Sequence, residues 1–369
     1  MININNLIER IIIEKGTEEL SLTKLILSRL KDKPSEIVED IDELVRGFGL
    51  GADSRGRGKR ELLIAIQRGR FFKPCPGTKD YLCCLYKILH NASNCPVDCS
   101  YCILQCYFNN PFLIVYANEK DLFSELGNVM KSWGDEPLRL GTGEFTDSLI
   151  LDPITEFSKR IIPFVLTYPN IFLELKTKSS CIENVLEYNG QGRVFLSWSL
   201  NPPEIIESEE KFSADLNERL ISARKCQDAG FPLCFHFDPI IRFDGWENAY
   251  RKTIKHLFEM VDPKRIVWIS LGCLRFPPAL KEIIQERFPG NRLLYEEFII
   301  GTDGKMRYFK PLRIKTFKFI YEEIKRFAPE VFVYLCMESK EVWEKVFGWA
   351  PGNNYEFGNR LDERCKLFG

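Results

Sequence analysis

The sequence predicts an α/β protein: an open, partial (β/α)6-type barrel preceded by an N-terminal helical accessory segment. Three observations carry that expectation. From about 111 to 336, short apolar runs alternate with amphipathic helical stretches, the pattern of βα units around a parallel sheet. Six or seven such units are present, too few to close an eight-stranded barrel. The chain has 369 residues, room for one large α/β domain and a smaller unit beside it.

Residues 1–75 read as the helical accessory segment. SLTKLILSRLKDK spaces its apolar side chains as a helix does, and PSEIVEDIDELVRGFG repeats Ile37, Ile41, Leu44 and Val45 before a glycine stop. A polar, glycine-broken loop, GADSRGRGKRE, leads into ELLIAIQRGRFF. The barrel is expected over 76–340. It opens with an irregular cysteine-rich stretch, from about 77 to 101, that suits a segment wrapped around a site. The candidate strands are FLIVYA, PLRLGTG, IFLELKTK, VFLSWSLN, PLCFHFDPI, RIVWISLG and VFVYLCM. Ligands of such a sheet belong at the carboxyl ends of the strands, where the loops converge. Residues 341–369 read as a C-terminal helix and tail.

With 45% hydrophobic and 28% charged residues the chain has enough apolar surface for a packed core, which excludes a disordered or low-complexity protein. Its net charge of -1 gives no overall field toward nucleic acid or an anionic membrane, so any such contact is local. The start, MININNLIERIIIEKG, carries Glu9, Arg10 and Glu14 around its short apolar run and has no small-residue cleavage site. No stretch of about 18 apolar residues follows, so a cytoplasmic protein without a membrane partner is expected. Of the 13 cysteines, seven fall between Cys75 and Cys106. Such clustering favours metal ligation in a reducing compartment over disulfides.

Cys95-Pro-Val-Asp-Cys99-Ser-Tyr-Cys102 is a C-x3-C-x2-C run. Three thiolates on one tight loop ligate three irons of a [4Fe-4S] cluster and leave the fourth iron without a protein ligand. An electron-transfer ferredoxin ligates all four. An open iron can instead chelate the amino and carboxylate groups of S-adenosylmethionine (SAM) and pass an electron to its sulfonium, giving a 5'-deoxyadenosyl radical. Zinc is the competing reading, but it normally takes paired C-x2-C knuckles and a fourth ligand.

This spacing, with Tyr101 just before the last cysteine, resembles the radical SAM superfamily, whose usual fold is the partial barrel. Within it the resemblance narrows to spore photoproduct lyase and its relatives and covers roughly 90–335. It rests on CPVDCSYCILQ, the Thr177-Lys178 pair in LELKTKSS, WSLN at 198–201, AGFPLCFHFDPI, DGWENAY and LRFPPALKEIIQERFP. The resemblance implies that Tyr101, the candidate catalytic residue, lies beside SAM, with Lys178 and Ser199 contacting the cofactor's polar groups. It also implies an external one-electron reductant such as flavodoxin or ferredoxin. Nothing in the sequence demands a partner chain, so a monomer is expected.

Two departures stand out. The lyase finishes by taking a hydrogen atom from a cysteine, assisted by a tyrosine after the last cluster cysteine; at these places this chain has Glu144 and Ile103. Gly141-Thr142-Gly143-Glu144 instead resembles the Gly-Gly-Glu element of many radical enzymes, which implies that Gly143 and Glu144 bind SAM. Cys234 and Cys273, near predicted strand ends, are candidate substitute donors. His236 and Asp238 share one face of a strand and suit either proton handling or a structural pair. Cys75, Cys83, Cys84 and Cys106 lack ferredoxin spacing and are expected to be structural.

Two substrate classes remain open. DNA or RNA, as a pyrimidine lesion, fits the resemblance and two basic patches. One is Arg55, Arg57, Lys59 and Arg60; the other is Lys305, Arg307, Lys310 and Arg313 around Tyr308 and Phe309. A small molecule or peptide fits the absent cysteine and tyrosine. A binding module without catalysis is a third reading, for which an open-iron motif has little use.

Overall fold

A computed structural model describes residues 4–49, 53–78 and 80–369. The first three residues of the N-terminal run, the Gly51-Ala52 start of the glycine-broken loop and Lys79 lie outside these.

The N-terminal part contains strands that the sequence reading took for helix. Arg10–Glu14 (β1) lies between Ser35–Val38 (β2) and Glu61–Ala65 (β3), parallel to both. The chain then enters the barrel with Phe72–Pro74 (β4) and Lys87–Leu89 (β5), and returns to the first sheet with Leu113–Tyr116 (β6), parallel to β3. The accessory segment is therefore an α/β unit rather than a helical one. FLIVYA extends its sheet and not the barrel.

The physical reason is that runs such as IIIE and LLIA are apolar on both faces, and periodicity alone does not tell a short buried strand from a helical turn. Ile11 and Ile13 face the main core. Ile12 and Leu63 face a second cluster with Phe112, onto which Ile41, Leu44, Val45 and Phe48 of the helix Ile41–Phe48 pack. The helical spacing holds from Ile41 onward; Ile37, the first member of the expected repeat, lies on β2 and is 58% exposed.

The expected open α/β barrel is present. After β5 its strands are Leu138–Gly141 (β7), Ile171–Thr177 (β8), Val194–Ser199 (β9), Leu233–Ile240 (β10), Ile266–Cys273 (β11) and Val333–Leu335 (β12). In space the order is β12-β11-β10-β9-β8-β7-β5-β4, all parallel except β4, which runs antiparallel to β5 at one edge. Among the described residues no pairing joins β12 to β4, so the barrel stays open. Helices such as Ser158–Leu166, Leu216–Asp228 and Trp246–Met260 make the crossovers. The second of these starts at a capping box, Asp215 with Glu218. The stretch 341–369, expected as one helix and a tail, contains a second helix, Asn354–Lys366, whose Phe357 and Leu361 are buried.

Two short ribbons complete the mouth of the barrel. Asp98–Cys99 pairs antiparallel with Glu210–Lys211. Met306–Tyr308 pairs antiparallel with both Arg275–Phe276 and Phe298–Ile300.

The turn after β5 carries His90, whose Nδ1 accepts from Lys73 Nζ (2.8 Å) while Nε2 lies 2.6 Å from Ser93 Oγ. Burial, with Lys73 beside it, pushes His90 down to about 3. The unfolded chain's histidine titrates near 6.5, so below that pH the unfolded state binds a proton the native state refuses. Stability is expected to fall as pH drops from about 6.5 toward 3, at up to about 1.4 kcal/mol per unit from this group. Urea unfolding between about pH 7 and about pH 5 measures the slope, and His90→Gln should flatten it.

Candidate active site

The Cys95–Cys102 loop has almost no secondary structure of its own and is held from outside. Asn94, at φ 66°, receives the Cys95 N–H on Oδ1 (2.9 Å) and donates through Nδ2 to the Pro111 carbonyl (2.8 Å). Gln105 Nε2 donates to the carbonyls of Cys99 (3.1 Å) and Ser100 (3.0 Å). Asp98 is gripped by Lys59 Nζ (3.1 Å) and by both terminal nitrogens of Arg287 (3.1 and 2.8 Å). Lys59 also donates to the Val97 carbonyl (2.9 Å), and Arg287 to Gln105 Oε1. On the far side Ser100 N–H donates to the Glu209 carbonyl (2.9 Å) and Ser100 Oγ to the Glu209 carboxylate.

Cys95 and Cys99 are buried and Cys102 half-buried. Burial pushes the Cys95 thiol up to about 12 and the Cys99 thiol well up, so thiolates here need a neighbouring positive charge such as bound iron.

Across a cavity of about 280 Å³ the loop faces the carboxyl ends of the strands. Cys95, Cys99, Cys102, Tyr101, Gly143, Glu144, Lys178 and Ser199 all line this one cavity. The loop after β7 carries Gly143 to Asp147. Asp147 pins that loop to β8: Oδ1 accepts from Thr177 Oγ1 (2.7 Å) and Oδ2 from the Lys178 N–H (2.7 Å). A Cβ on Gly141 would overlap the Tyr86 hydroxyl, and one on Gly143 would press on Lys176 Cβ at 3.0 Å. Glu144 Oε1 is ion-paired with Lys176 Nζ at 2.6 Å.

The phenol of Tyr101 donates to Glu210 and accepts from Lys178 Nζ (3.1 Å), while Lys178 also reaches Glu210 Oε1 (2.9 Å). Burial pushes Glu210 up, but Lys178 and Arg219 outweigh it and hold the carboxyl well below the usual range.

Several cavity residues escaped the sequence reading. Lys176 and Arg275 line the wall, and Arg275 clasps Asp238 through two 3.0 Å bonds. Cys75, taken as structural, also lines it. Glu210 sat in ESEEKF, which reads as a solvated acidic run; only its long-range partners reveal it. Cys234 and Cys273 are buried and are not among the cavity-lining residues. His236 is bound to Glu174 Oε1 (2.7 Å) and Ser270 Oγ (2.6 Å), so it does not pair with Asp238.

Neither basic patch stays whole, although Arg57 and Arg60 of the first remain exposed. Lys59 is buried against Asp98; Arg307 and Arg313 are buried against Asp303 and Glu338, and Tyr308 is buried. Charge runs in sequence do not show partners that folding brings from elsewhere. Of the second patch, Lys305 faces the cavity.

Among the described residues no three His, Cys, Asp or Glu side chains converge on a single metal ion. A cubane asks for a different arrangement, three thiolates on three separate irons. All 13 cysteines are free thiols. No helix among the described residues is long and apolar enough to cross a membrane.

A parallel partial barrel whose strand ends face a C-x3-C-x2-C loop defines a radical SAM enzyme. The family model described as spore photoproduct lyase matches residues 9–335, and the chain belongs to that family. Among curated relatives, the spore photoproduct lyase of Bacillus subtilis is 27% identical over 272 residues, covering 72% of this chain and 75% of its own. That of Clostridium acetobutylicum is 22% identical over 332 residues, covering 87% and 94%. A solved spore photoproduct lyase double mutant with bound AdoMet and dinucleoside spore photoproduct superposes with a TM-score of 0.80 at 23% identity, covering 89% of this chain and 98% of the other. That likeness shows the fold.

Arg287→Met removes one of the two cations on Asp98 and the donor to Gln105 Oε1. The expected loss is about 2–3 kcal/mol, read from the urea unfolding midpoint of the metal-free protein. Replacing exposed Arg292 with Met should change it by less than about 0.5 kcal/mol.

Proposed function

We propose that this chain binds a [4Fe-4S] cluster through Cys95, Cys99 and Cys102, cleaves SAM reductively, and acts on a pyrimidine lesion in DNA. The observation that carries the reading is that the three cysteines and the SAM-contact candidates line one cavity from opposite sides. The residues present fit the groups. Three thiols share one wall, Gly143 leaves its side of the cavity without a side chain, and Thr146 Oγ1 is buried on the lining without a partner. When bound, cluster and SAM supply a 5'-deoxyadenosyl radical for hydrogen abstraction.

The protein's own groups bind and orient. Glu144 accepts a hydrogen bond from the cofactor's ammonium, sharing its charge with Lys176; Lys178 and Ser199 meet polar groups from the strand ends. Ile103, Leu104 and Met337 give the cavity apolar walls that keep water from the reacting centre. Arg275 and Lys305 put positive charge on the lining, which suits a substrate with a phosphodiester backbone. The dinucleoside lesion named for the solved relative supports this substrate class. The partners expected with it are an external one-electron reductant and DNA.

The test is anaerobic reconstitution followed by reduction with dithionite. About four irons per chain, formation of 5'-deoxyadenosine and conversion of a dinucleotide lesion are expected, with a gel shift on oligonucleotides that fades as salt rises. Cofactor cleavage with neither lesion turnover nor a shift at low salt would move the substrate to a small molecule or peptide. Glu144→Gln should weaken SAM binding by calorimetry and leave the brown chromophore intact; unchanged affinity removes Glu144 from cofactor binding.

A further inference from the structure

We propose that Glu210 is a positioning residue that ties the cysteine loop to the SAM-facing strand ends, holding Tyr101 and Lys178 in register so that Lys178 meets the cofactor. This rests on the reading of Lys178 given above and adds the group through which that lysine is aimed.

Glu210 follows directly on the helix Pro203–Glu209 and begins the two-residue ribbon that pairs with Asp98–Cys99, so its backbone is bonded to the cysteine loop. Its carboxylate is wholly buried. Oε1 receives the Tyr101 phenol, Lys178 Nζ (2.9 Å) and Asn201 Nδ2 (2.9 Å), and Oε2 receives Arg219 Nη2 (2.6 Å). Arg219, also buried, donates through Nη1 to the Ser199 carbonyl (2.8 Å). One carboxylate thus touches the cluster loop through Tyr101, the end of β8 through Lys178, and the end of β9 through Asn201 and Arg219.

Lys178 lines the cavity while two of its three N–H directions are taken by Tyr101 and Glu210. The remaining one is left for a ligand. Ordering a lysine stem costs rotamer entropy, and an ammonium fixed before the ligand arrives avoids that loss on binding. The competing role is simple charge balance for Arg219, which predicts a stability change and no specific effect on SAM.

Isothermal titration with SAM, iron analysis and thermal unfolding of the anaerobically reconstituted protein separate the two. Glu210→Gln should keep its iron and weaken SAM binding about tenfold or more, the usual scale for a group that orients a ligand. In a Lys178→Met background the same change should add little, because both act through one ammonium. Glu210→Asp, which keeps the charge but draws it back, should recover part of the affinity.

Wild-type affinity in Glu210→Gln overturns the proposal. So does a loss that adds fully to that of Lys178→Met, or full restoration by Glu210→Gln/Arg219→Met, which rebalances charge only. If Glu210→Gln does not fold, Tyr101→Phe cuts the same link from the other end: a loss of SAM affinity that adds little to that of Lys178→Met supports the proposal, and unchanged affinity or a fully additive loss overturns it. Wild-type protein that holds iron and binds no SAM would instead overturn the reading beneath it.

Discussion

The structure depends on holding one short loop, poor in structure of its own, in a fixed shape, and the buried carboxylate of Asp98 is what fixes it. A loop that brings three thiols to one cavity has little backbone pairing to spend on itself. Its groups are satisfied by side chains from elsewhere: Lys59 and Arg287 on Asp98, Gln105 on the carbonyls of Cys99 and Ser100, Glu209 on Ser100. A buried ion pair contributes little net stability, because desolvation offsets most of the attraction. Its value here is geometric: two cations approaching one carboxylate from different parts of the chain leave the loop a single position.

That explains why the N-terminal unit is not an appendage. Lys59 lies just before β3, and its ammonium reaches the loop only because β1, β2, β3 and β6 form a sheet that places it there. Arg287 comes from the helix Ala279–Arg287, on the opposite side of the sequence. The loop is thus held by distant segments on either side of it in sequence, with the parallel sheet supplying the wall that it faces.

The same logic separates what was legible in the sequence from what was not. The cysteine spacing, Tyr101 and the strand-end positions of Lys178 and Ser199 are local signals, and they fall around one cavity because parallel strands bring all their carboxyl ends to one side. The N-terminal strands were misread since a run of four apolar residues has no period to read. The second basic patch breaks up because Arg307 and Arg313 carry their charge inward to Asp303 and Glu338. Glu210 was invisible for the converse reason: an acidic run looks solvated until its partners, Lys178 from before it and Arg219 from after it, are folded against it.

The departure at Glu144 takes on a physical meaning in this frame. The resemblance implies a thiol at that place, able to return a hydrogen atom to a carbon radical because its bond to hydrogen is weak. Glu144, ion-paired with Lys176, has no such hydrogen to give. Beyond Cys95, Cys99 and Cys102, the thiol on the cavity lining among the described residues is Cys75, contributed by the segment after β4 and held protonated by burial. A carboxylate and a thiol cannot share one position, so the loop after β7 presents a charge where the resemblance implies an S–H bond.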